Sequence, residues 1–146
     1  MRELIAGGVA TIVASRDERL RPSIGRGWAI ALSDSGTEVT LCVEAPAGSR
    51  MRDNLQSNGA IAVTCSRPTT YRTVQLKGRV TTIAQPSAEQ LAAVDRHAEA
   101  FSNEAEQVGL GPDSGVRLLD RGLASVSFKV AEVYDQTPGP SAGARM

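Results

Sequence analysis

The chain contains six short runs rich in β-branched and other apolar residues, and only one helical segment interrupts the first four of them. The runs have the length of strands and are bounded by turn residues. They cover residues 9–15, 22–32, 38–43, 61–66, 71–83 and 124–136. A parallel doubly wound sheet needs a helix after nearly every strand, so this order disfavours one. It favours a mainly β (α+β) domain built on a six-stranded antiparallel barrel with helices at its edge.

Two main helices are predicted from their start signals. Ser49 is a good N-cap residue, and Met51 and Leu55 follow it four residues apart on one helical face. A second helix begins after Ser87, whose spacing from Gln90 is that of a capping box. Its apolar stripe consists of Leu91, Val94, Ala98, Phe101, Ala105 and Val108.

Composition limits the classes of partner. Sixteen basic residues balance sixteen acidic ones, and aromatic residues make up only 3% of the 146 residues. Neither a nucleic acid nor a membrane surface is therefore expected as a partner, because both usually demand a basic excess. No segment has the length of a membrane span or a secretory signal, which predicts a cytoplasmic protein. Residues 1–136 are expected to form one domain, and the aperiodic residues 137–146 an extended or disordered tail.

Side chains for a metal site or a nucleophilic triad are scarce. His97 is the only histidine, and its helical neighbours are charged, so a surface position is expected. Cys42 and Cys65 lie in apolar runs and are predicted to be buried thiols. One histidine and two scattered cysteines supply neither a zinc site nor a nucleophile–histidine pair. No metal is expected, no catalytic side chain is assigned, and any enzymatic chemistry falls to a cofactor.

The start of the first helix carries the sequence Gly48-Ser49-Arg50-Met51-Arg52. Arg50 and Arg52 place two positive charges at the positive end of the helix dipole, which destabilises the helix. An anion bound there would offset this repulsion. Forked guanidinium groups suit a phosphate, which carries about −1.5 to −2 charges at neutral pH. The segment therefore predicts a phosphate site, with a solvated first turn and two surface arginines as the alternative.

Two strands carry further candidates. In the second strand Gly25 and Gly27 leave a smooth face along which a flat ring could lie, and Arg26 points the other way with Trp28. The alternative there is a tight barrel corner with Arg26 paired to a carboxylate. One face of the fifth strand carries a mixed polar row, which is either a ligand-facing surface or the solvent face of an edge strand. This row consists of Thr73, Gln75, Lys77 and Arg79.

The order of these features resembles the pyridoxamine 5′-phosphate oxidase-like split β-barrel family. The resemblance rests on the glycine–arginine strand, the Ser-Gly hairpin after it, the Gly-Ser-Arg helix start and the strand sequence YRTVQLKGRV at residues 71–80. The sequence DQTPGP at residues 135–140 is similar to the tail of small members. The resemblance implies a Greek-key split barrel that works as a homodimer with FMN at the subunit interface.

The resemblance also implies roles for individual residues. Arg26, Ser49 and Arg50 would hold the FMN phosphate, with Arg52 substituting for a lysine that is frequent in the family at the position of Met51. The isoalloxazine ring would lie beside residues 25–29 and 41–43 and near a polar residue of the fifth strand, where a Gln or Lys stabilises the charge that reduced flavin gains. The implied cofactor-binding residues are Gly25, Arg26, Gly27, Trp28, Cys42, Val43, Ser49, Arg50, Arg52, Thr73, Gln75 and Lys77.

The expected function is an FMN-dependent oxidoreductase that acts on an unidentified small-molecule substrate. The tail, with Arg145 among glycines and prolines, does not match the substrate-gripping segment of true pyridoxamine phosphate oxidases, so vitamin B6 activity is not implied. Three alternatives fit the same residues: a non-catalytic module that binds flavin or haem, a deazaflavin (F420) reductase, and a dimeric barrel without a cofactor.

Overall fold

The structure is a computed structural model that describes residues 1–120 and 122–146. Its strands are β1 (Ala10–Arg16), β2 (Pro22–Leu32), β3 (Glu38–Glu44), β4 (Ala60–Ser66), β5 (Thr73–Ala84) and β6 (Leu123–Asp135). Its helices are α1 (Arg2–Ile5), α2 (Arg50–Ser57), α3 (Ala88–Gln107) and α4 (Ser114–Leu118). All neighbouring strands are antiparallel, and they close into a barrel in the order β1-β2-β3-β6-β5-β4. The predicted fold class, an antiparallel six-stranded barrel with two main helices, is confirmed.

The two longest strands, β5 and β6, pair along most of their length and shift register twice. Gly78 stands at the first shift, and a Cβ atom built there would lie 1.9 Å from the main-chain oxygen of Lys129. Only glycine allows two backbones to approach this closely. Irregularities of this kind bend a strand and increase its twist, which helps a small sheet to curve and close.

The barrel interior is filled by side chains that alternate inward along every strand. Leu41, Leu76 and Phe128 are fully buried there. Met51 and Leu55 of α2 belong to the same core, so this helix packs against β1, β2 and β4 with the face predicted from their spacing. The N-cap prediction is confirmed as well, because the Oγ atom of Ser49 accepts a hydrogen bond from the Arg52 amide.

The long helix α3 lies against the outer side of the barrel. Its predicted capping box is present: Ser87 and Gln90 each accept a hydrogen bond from the other's main-chain amide. A second buried cluster joins the helix to the barrel. This cluster consists of Trp28, Cys42, Val94, Ala98 and Leu123. Among the helices that the structure describes, none is both long and apolar enough to cross a bilayer.

His97 is buried, so its predicted surface position is wrong. The main-chain amide of Ala29 donates to its Nδ1 atom at 2.8 Å, which leaves the proton on Nε2 to be donated to the Val9 oxygen at 2.9 Å. Ala29 lies where the pairing of β2 with β3 shifts register, and its φ is 52°. Its amide donates to His97 at this irregular position. The buried stripe of α3 therefore includes His97 and Ser102, whereas the predicted stripe residues at the two ends of the helix are exposed.

The residues that follow β6 turn back onto it. The Gly143 amide donates to the oxygen of Asp135, and the Asp135 amide donates to the oxygen of Ala144. The last residue, Met146, donates its amide to the Val133 oxygen at 2.8 Å. Residues 143–146 thus lie along the C-terminal end of β6.

Candidate functional site

The first half of β2, the end of β3 and the start of α2 meet at one corner of the barrel. A Cβ atom at Gly25 would lie 3.4 Å from the Cε atom of Met51, so β2 and α2 are in contact. The Nε atom of Arg52 donates to the Ala45 oxygen at 2.8 Å, which ties the helix to the connection that leaves β3. We call this region, formed by Arg26, Glu44 and residues 49–52, the helix-start corner. Ser49, Arg50 and Arg52 lie together at the helix start, whereas Arg26 reaches this region through Glu44 and points to the opposite side of β2 from Gly25.

The first turn of α2 has the donors that an anion requires. The amides of Arg50 and Met51 lie in that turn, where no intrahelical acceptor exists. The hydroxyl of Ser49 accepts from the Arg52 amide at 3.2 Å, and its own proton is still available for donation. The side chain of Arg50 is exposed at the same helix end. These groups could bind a phosphate or carboxylate together, and the bond from Arg52 to Ala45 gives that arginine a positioning role.

A carboxylate is already present in the corner, and its position bears on the charge of the site. The Oε1 atom of Glu44 accepts from the Trp28 indole at 2.9 Å and from the Asp120 amide at 3.2 Å. Its Oε2 atom lies 4.0 Å from the Nη1 atom of Arg26. The Arg26 side chain is 44% exposed, and a half-exposed ion pair at this distance contributes little stability. Arg26 therefore has the carboxylate partner that the alternative interpretation foresaw, and it can still turn toward an added anion.

The glycine face of β2 does not offer the open surface that its sequence predicts. A Cβ atom at Gly27 would lie 2.8 Å from Leu41 Cδ1 and 3.0 Å from Val13 Cγ2, so this face points into the filled barrel interior. Val43, which pairs with Gly27, is also fully buried in that interior. At Gly27 the missing side chain therefore makes room for the core, and a flat ring against this position stays a prediction that only main-chain contacts could satisfy.

The outward face of the same strands is covered as well. Trp28 and Cys42 are cross-strand partners, and both are buried beneath α3. Burial raises the pKa of the Cys42 thiol to about 11, so the thiol stays protonated. Trp28 meets the ring of His97 edge to face, with 5.7 Å between the ring centroids. The helix thus occupies the space predicted for the isoalloxazine ring beside these two side chains.

The polar row of β5 lies on the outer surface of the barrel. The amide of Gln75 donates to Thr64 Oγ1 at 3.0 Å, and Thr73 donates its hydroxyl to the Tyr71 oxygen at 2.9 Å. The Nζ atom of Lys77 lies 4.8 Å from the centre of the Tyr134 ring. In the strand order, β5 is three strands from β2 in either direction. A single barrel therefore does not bring this row and the helix-start corner to the same side.

Between these two regions the outer surface is unusually apolar. Ile12 is 41% exposed and Ile24 is 71% exposed, and both point outward from β1 and β2. Small side chains continue the surface across β4. We call the isoleucine part of this surface, Ile12 and Ile24, the outer apolar face; the alanines next to it, Ala14, Ala60 and Ala62, line the cavity described next. Exposed apolar surface that is bordered by polar residues is typical of a protein–protein contact.

A cavity of about 450 Å³ lies beside this face, between β1, β4, β5 and β6. Of the residues predicted to bind the cofactor, Lys77 alone is among the described residues that line this cavity. Arg16, Arg79 and Glu132 provide the other charges of its wall. Except for Arg79, which belongs to the polar row, these residues are absent from the sequence prediction. Outward alanines at alternate positions of β4 are the signal that could have indicated an open surface there.

The barrel has the fold of solved structures that are described as FMN-binding proteins and as pyridoxamine 5′-phosphate oxidase-family proteins. A structure described as an F420 Reductase matches with a TM-score of 0.61 and 15% identity, over 90% of this chain and 94% of that chain. HupZ from Group A Streptococcus matches with a TM-score of 0.56 and 22% identity, over 98% and 96%. An FMN-binding protein from Syntrophomonas wolfei matches with a TM-score of 0.52 and 12% identity, over 90% and 80%.

No family model matches the sequence, and no curated protein matches it. At identities of 22% and below, the likeness to solved structures is one of fold. The predicted resemblance to the split-barrel family is confirmed at that level.

Proposed function

We propose that this chain is an FMN-binding oxidoreductase that acts on a small molecule and works as a homodimer with the cofactor at the subunit interface. The observation that carries the proposal is the open first turn of α2, which has the exposed Arg50 at its start and packs against β2, the strand of the half-exposed Arg26. Two free cysteines are consistent with a reducing compartment, and we place the protein in the cytoplasm.

The phosphate end of the cofactor fits the helix-start corner. A phosphomonoester of about −1.5 to −2 charges matches the exposed guanidinium of Arg50, the half-exposed Arg26 and the first-turn amides. The hydroxyl of Ser49 would add a donor, and Arg52 would hold the connection after β3 in place through its bond to Ala45. Glu44 would oppose the phosphate and thereby limit its affinity.

The ring end requires a second subunit. The polar row of β5 is three strands away from β2, so Gln75 and Lys77 of one subunit would complete the site whose phosphate end belongs to the other. The outer apolar face would provide the contact between subunits, and Thr73 would border the ring. Gly25 remains beside the phosphate through its main chain. Gly27, Trp28, Cys42 and Val43 are left out of the proposed site, because their faces are filled by the core or covered by α3.

Bound FMN would supply the hydride chemistry, which needs little acid–base work from side chains. The chain would bind the phosphate at Arg26 and Arg50, and it would exclude water with the outer apolar face. Lys77 and Gln75 would stabilise negative charge at the pyrimidine end of the ring, which raises its reduction potential. No side chain of the helix-start corner is assigned a proton-transfer role.

A deazaflavin reductase is the second candidate, and the fold similarity to a structure described as an F420 Reductase favours it. The two cofactors are separated by parallel titrations of the same protein with FMN and F420. A non-catalytic module that binds flavin or haem is the third candidate. It predicts tight binding without turnover by any reductant.

The proposal is tested by titrating the purified protein with FMN and following visible absorption and flavin fluorescence. Wild-type protein is expected to bind at low micromolar levels or tighter. Arg50→Ala is expected to weaken binding by roughly tenfold, because a charge-assisted hydrogen bond contributes about 1.5–3 kcal/mol. Arg117→Ala, which removes an exposed arginine from α4, is the matched control and should leave affinity unchanged. Full affinity in Arg50→Ala would remove the phosphate site.

A further inference from the structure

The cavity between β1, β4, β5 and β6 has a flat apolar floor. Its volume of about 450 Å³ lies in the range of small-molecule sites. Cross-strand pairing places Ala14 opposite Ala62, and Ala62 opposite Lys77, so side chains of a single carbon line the floor from one strand to the next. Gly78 and Ala131 extend the floor toward β6. A planar ring can lie on a floor of such small side chains.

The wall of the cavity is cationic. Arg16, Lys77 and Arg79 line it, and Glu132 is its one carboxylate. Over the part of the chain that the structure describes, no salt bridge joins any of these three cations to an acidic side chain. Glu132 instead accepts a hydrogen bond from the Tyr134 hydroxyl. The wall therefore carries an excess of positive charge that the protein does not neutralise.

The cations are held in place by neutral partners. The Nη1 atom of Arg79 donates to the main-chain oxygen of Asn58 at 2.8 Å, and Nη1 of Arg16 donates to the main-chain oxygen of Asp17 at 3.3 Å. Lys77 lies over the face of the Tyr134 ring, which also positions Glu132. Each bond leaves the charge of the cation available to a ligand and reduces the side-chain freedom that binding would otherwise cost.

We propose that this cavity is the substrate subsite of the oxidoreductase and that it selects a small planar molecule carrying carboxylate or phosphate groups. The alanine floor accepts the ring, and Arg16 and Arg79 bind the anionic groups. Lys77 is shared with the proposed ring-binding end, which puts the substrate next to the cofactor. The assignment as a substrate subsite rests on the proposed function, whereas anion binding in the cavity does not.

The test uses flavin-free protein and calorimetric titration with benzene-1,3-dicarboxylate, with phenyl phosphate as the second anionic probe. Benzene-1,3-dicarboxamide, which has the same shape and no charge, is the control ligand. Arg79→Gln and Arg16→Gln are each expected to weaken binding of the preferred anion by roughly tenfold, the size of a lost charge-assisted hydrogen bond. Glu132→Gln is expected to strengthen it. Arg117→Gln is the matched control, and thermal melts verify that each variant is folded.

The same variants separate this inference from the proposed function. Arg79→Gln and Arg16→Gln should keep wild-type FMN affinity, and Arg50→Ala should keep wild-type affinity for the anionic probe. Equal binding of the dicarboxamide, absence of binding by both anions, or unchanged anion affinity in both arginine variants would overturn the anionic subsite. If the wild-type protein binds the anionic probes but does not bind FMN, only the assignment of the cavity as the substrate subsite of a flavoenzyme is overturned.

Discussion

Glu44 shows how one side chain can set the affinity of the helix-start corner. Its carboxylate holds Trp28 and lies 4.0 Å from Arg26, so it competes with any added anion. Glu44→Gln keeps an acceptor for the indole and removes the charge. FMN binding is expected to tighten by about fivefold, since a like charge near a surface site costs on the order of 1 kcal/mol.

Titration at low and high salt checks this expectation, because screening should reduce the advantage of Glu44→Gln. Glu38→Gln, at the exposed start of β3, is the control. An affinity that stays the same or falls in Glu44→Gln would show that the carboxylate does not oppose the ligand.

His97 predicts a pH dependence of stability. Burial lowers the pKa of His97 below its ordinary value of 6.5, and the bond to the Val9 oxygen only partly opposes this. The unfolded chain therefore binds a proton more readily than the folded one below pH 6.5, and the free energy of unfolding falls as pH decreases from there toward the lowered value. Chemical unfolding between about pH 7.5 and pH 5 measures this slope. His97→Gln should show a shallower slope; an identical slope would mean that His97 does not titrate in this window.

Long-range partners explain which residue predictions failed. His97 has charged neighbours in sequence, yet its hydrogen bonds reach Ala29 and Val9, 68 and 88 residues away. Glu44 ends an apolar run and gives no sign of its contact with Arg26. Ser49 and Ser87 were predicted correctly because a cap is decided within four residues.

At the level of secondary-structure elements, Gly78 tests the close approach of β5 and β6. Gly78→Ala places a Cβ atom 1.9 Å from a main-chain oxygen, which the backbone cannot relieve by a rotamer change. It should destabilise the fold by at least about 3 kcal/mol or prevent folding. Gly111→Ala, where a Cβ atom meets nothing within 4 Å, should change stability by less than about 0.5 kcal/mol. Equal melting temperatures for the two variants would contradict this account of the strand pairing.

Strand and helix limits followed from local patterns, whereas the covering of one element by another did not. β2 occupies the predicted residues 22–32, because turn residues bound it on both sides. The surroundings of its glycine face do not follow from the local pattern, since only the tertiary structure shows that Gly27 faces Leu41 inside the barrel. Trp28 and Cys42 pack against α3, which covers the surface where the sequence predicts the flavin ring. The local pattern predicts that helix but not its position against the barrel.

At the level of the whole molecule, the outer apolar face predicts self-association. Ile24→Lys places a charge at the centre of the proposed subunit contact and should shift the protein from dimer to monomer. Sedimentation equilibrium measures the change, and Leu110→Lys, in the loop after α3, is the control. A wild-type protein that is monomeric at all accessible concentrations, or an Ile24→Lys protein that stays dimeric, would contradict the proposed interface.

The central claim is that two subunits share each FMN site, and a mixed dimer tests it most directly. Arg50→Ala and Lys77→Ala chains carry different purification tags, and the purified heterodimer is titrated with FMN. If Arg50 and Lys77 act from opposite subunits, one site of the heterodimer has both residues intact and binds FMN with wild-type affinity, while each variant homodimer binds weakly. A heterodimer in which neither site recovers wild-type affinity would contradict the shared site.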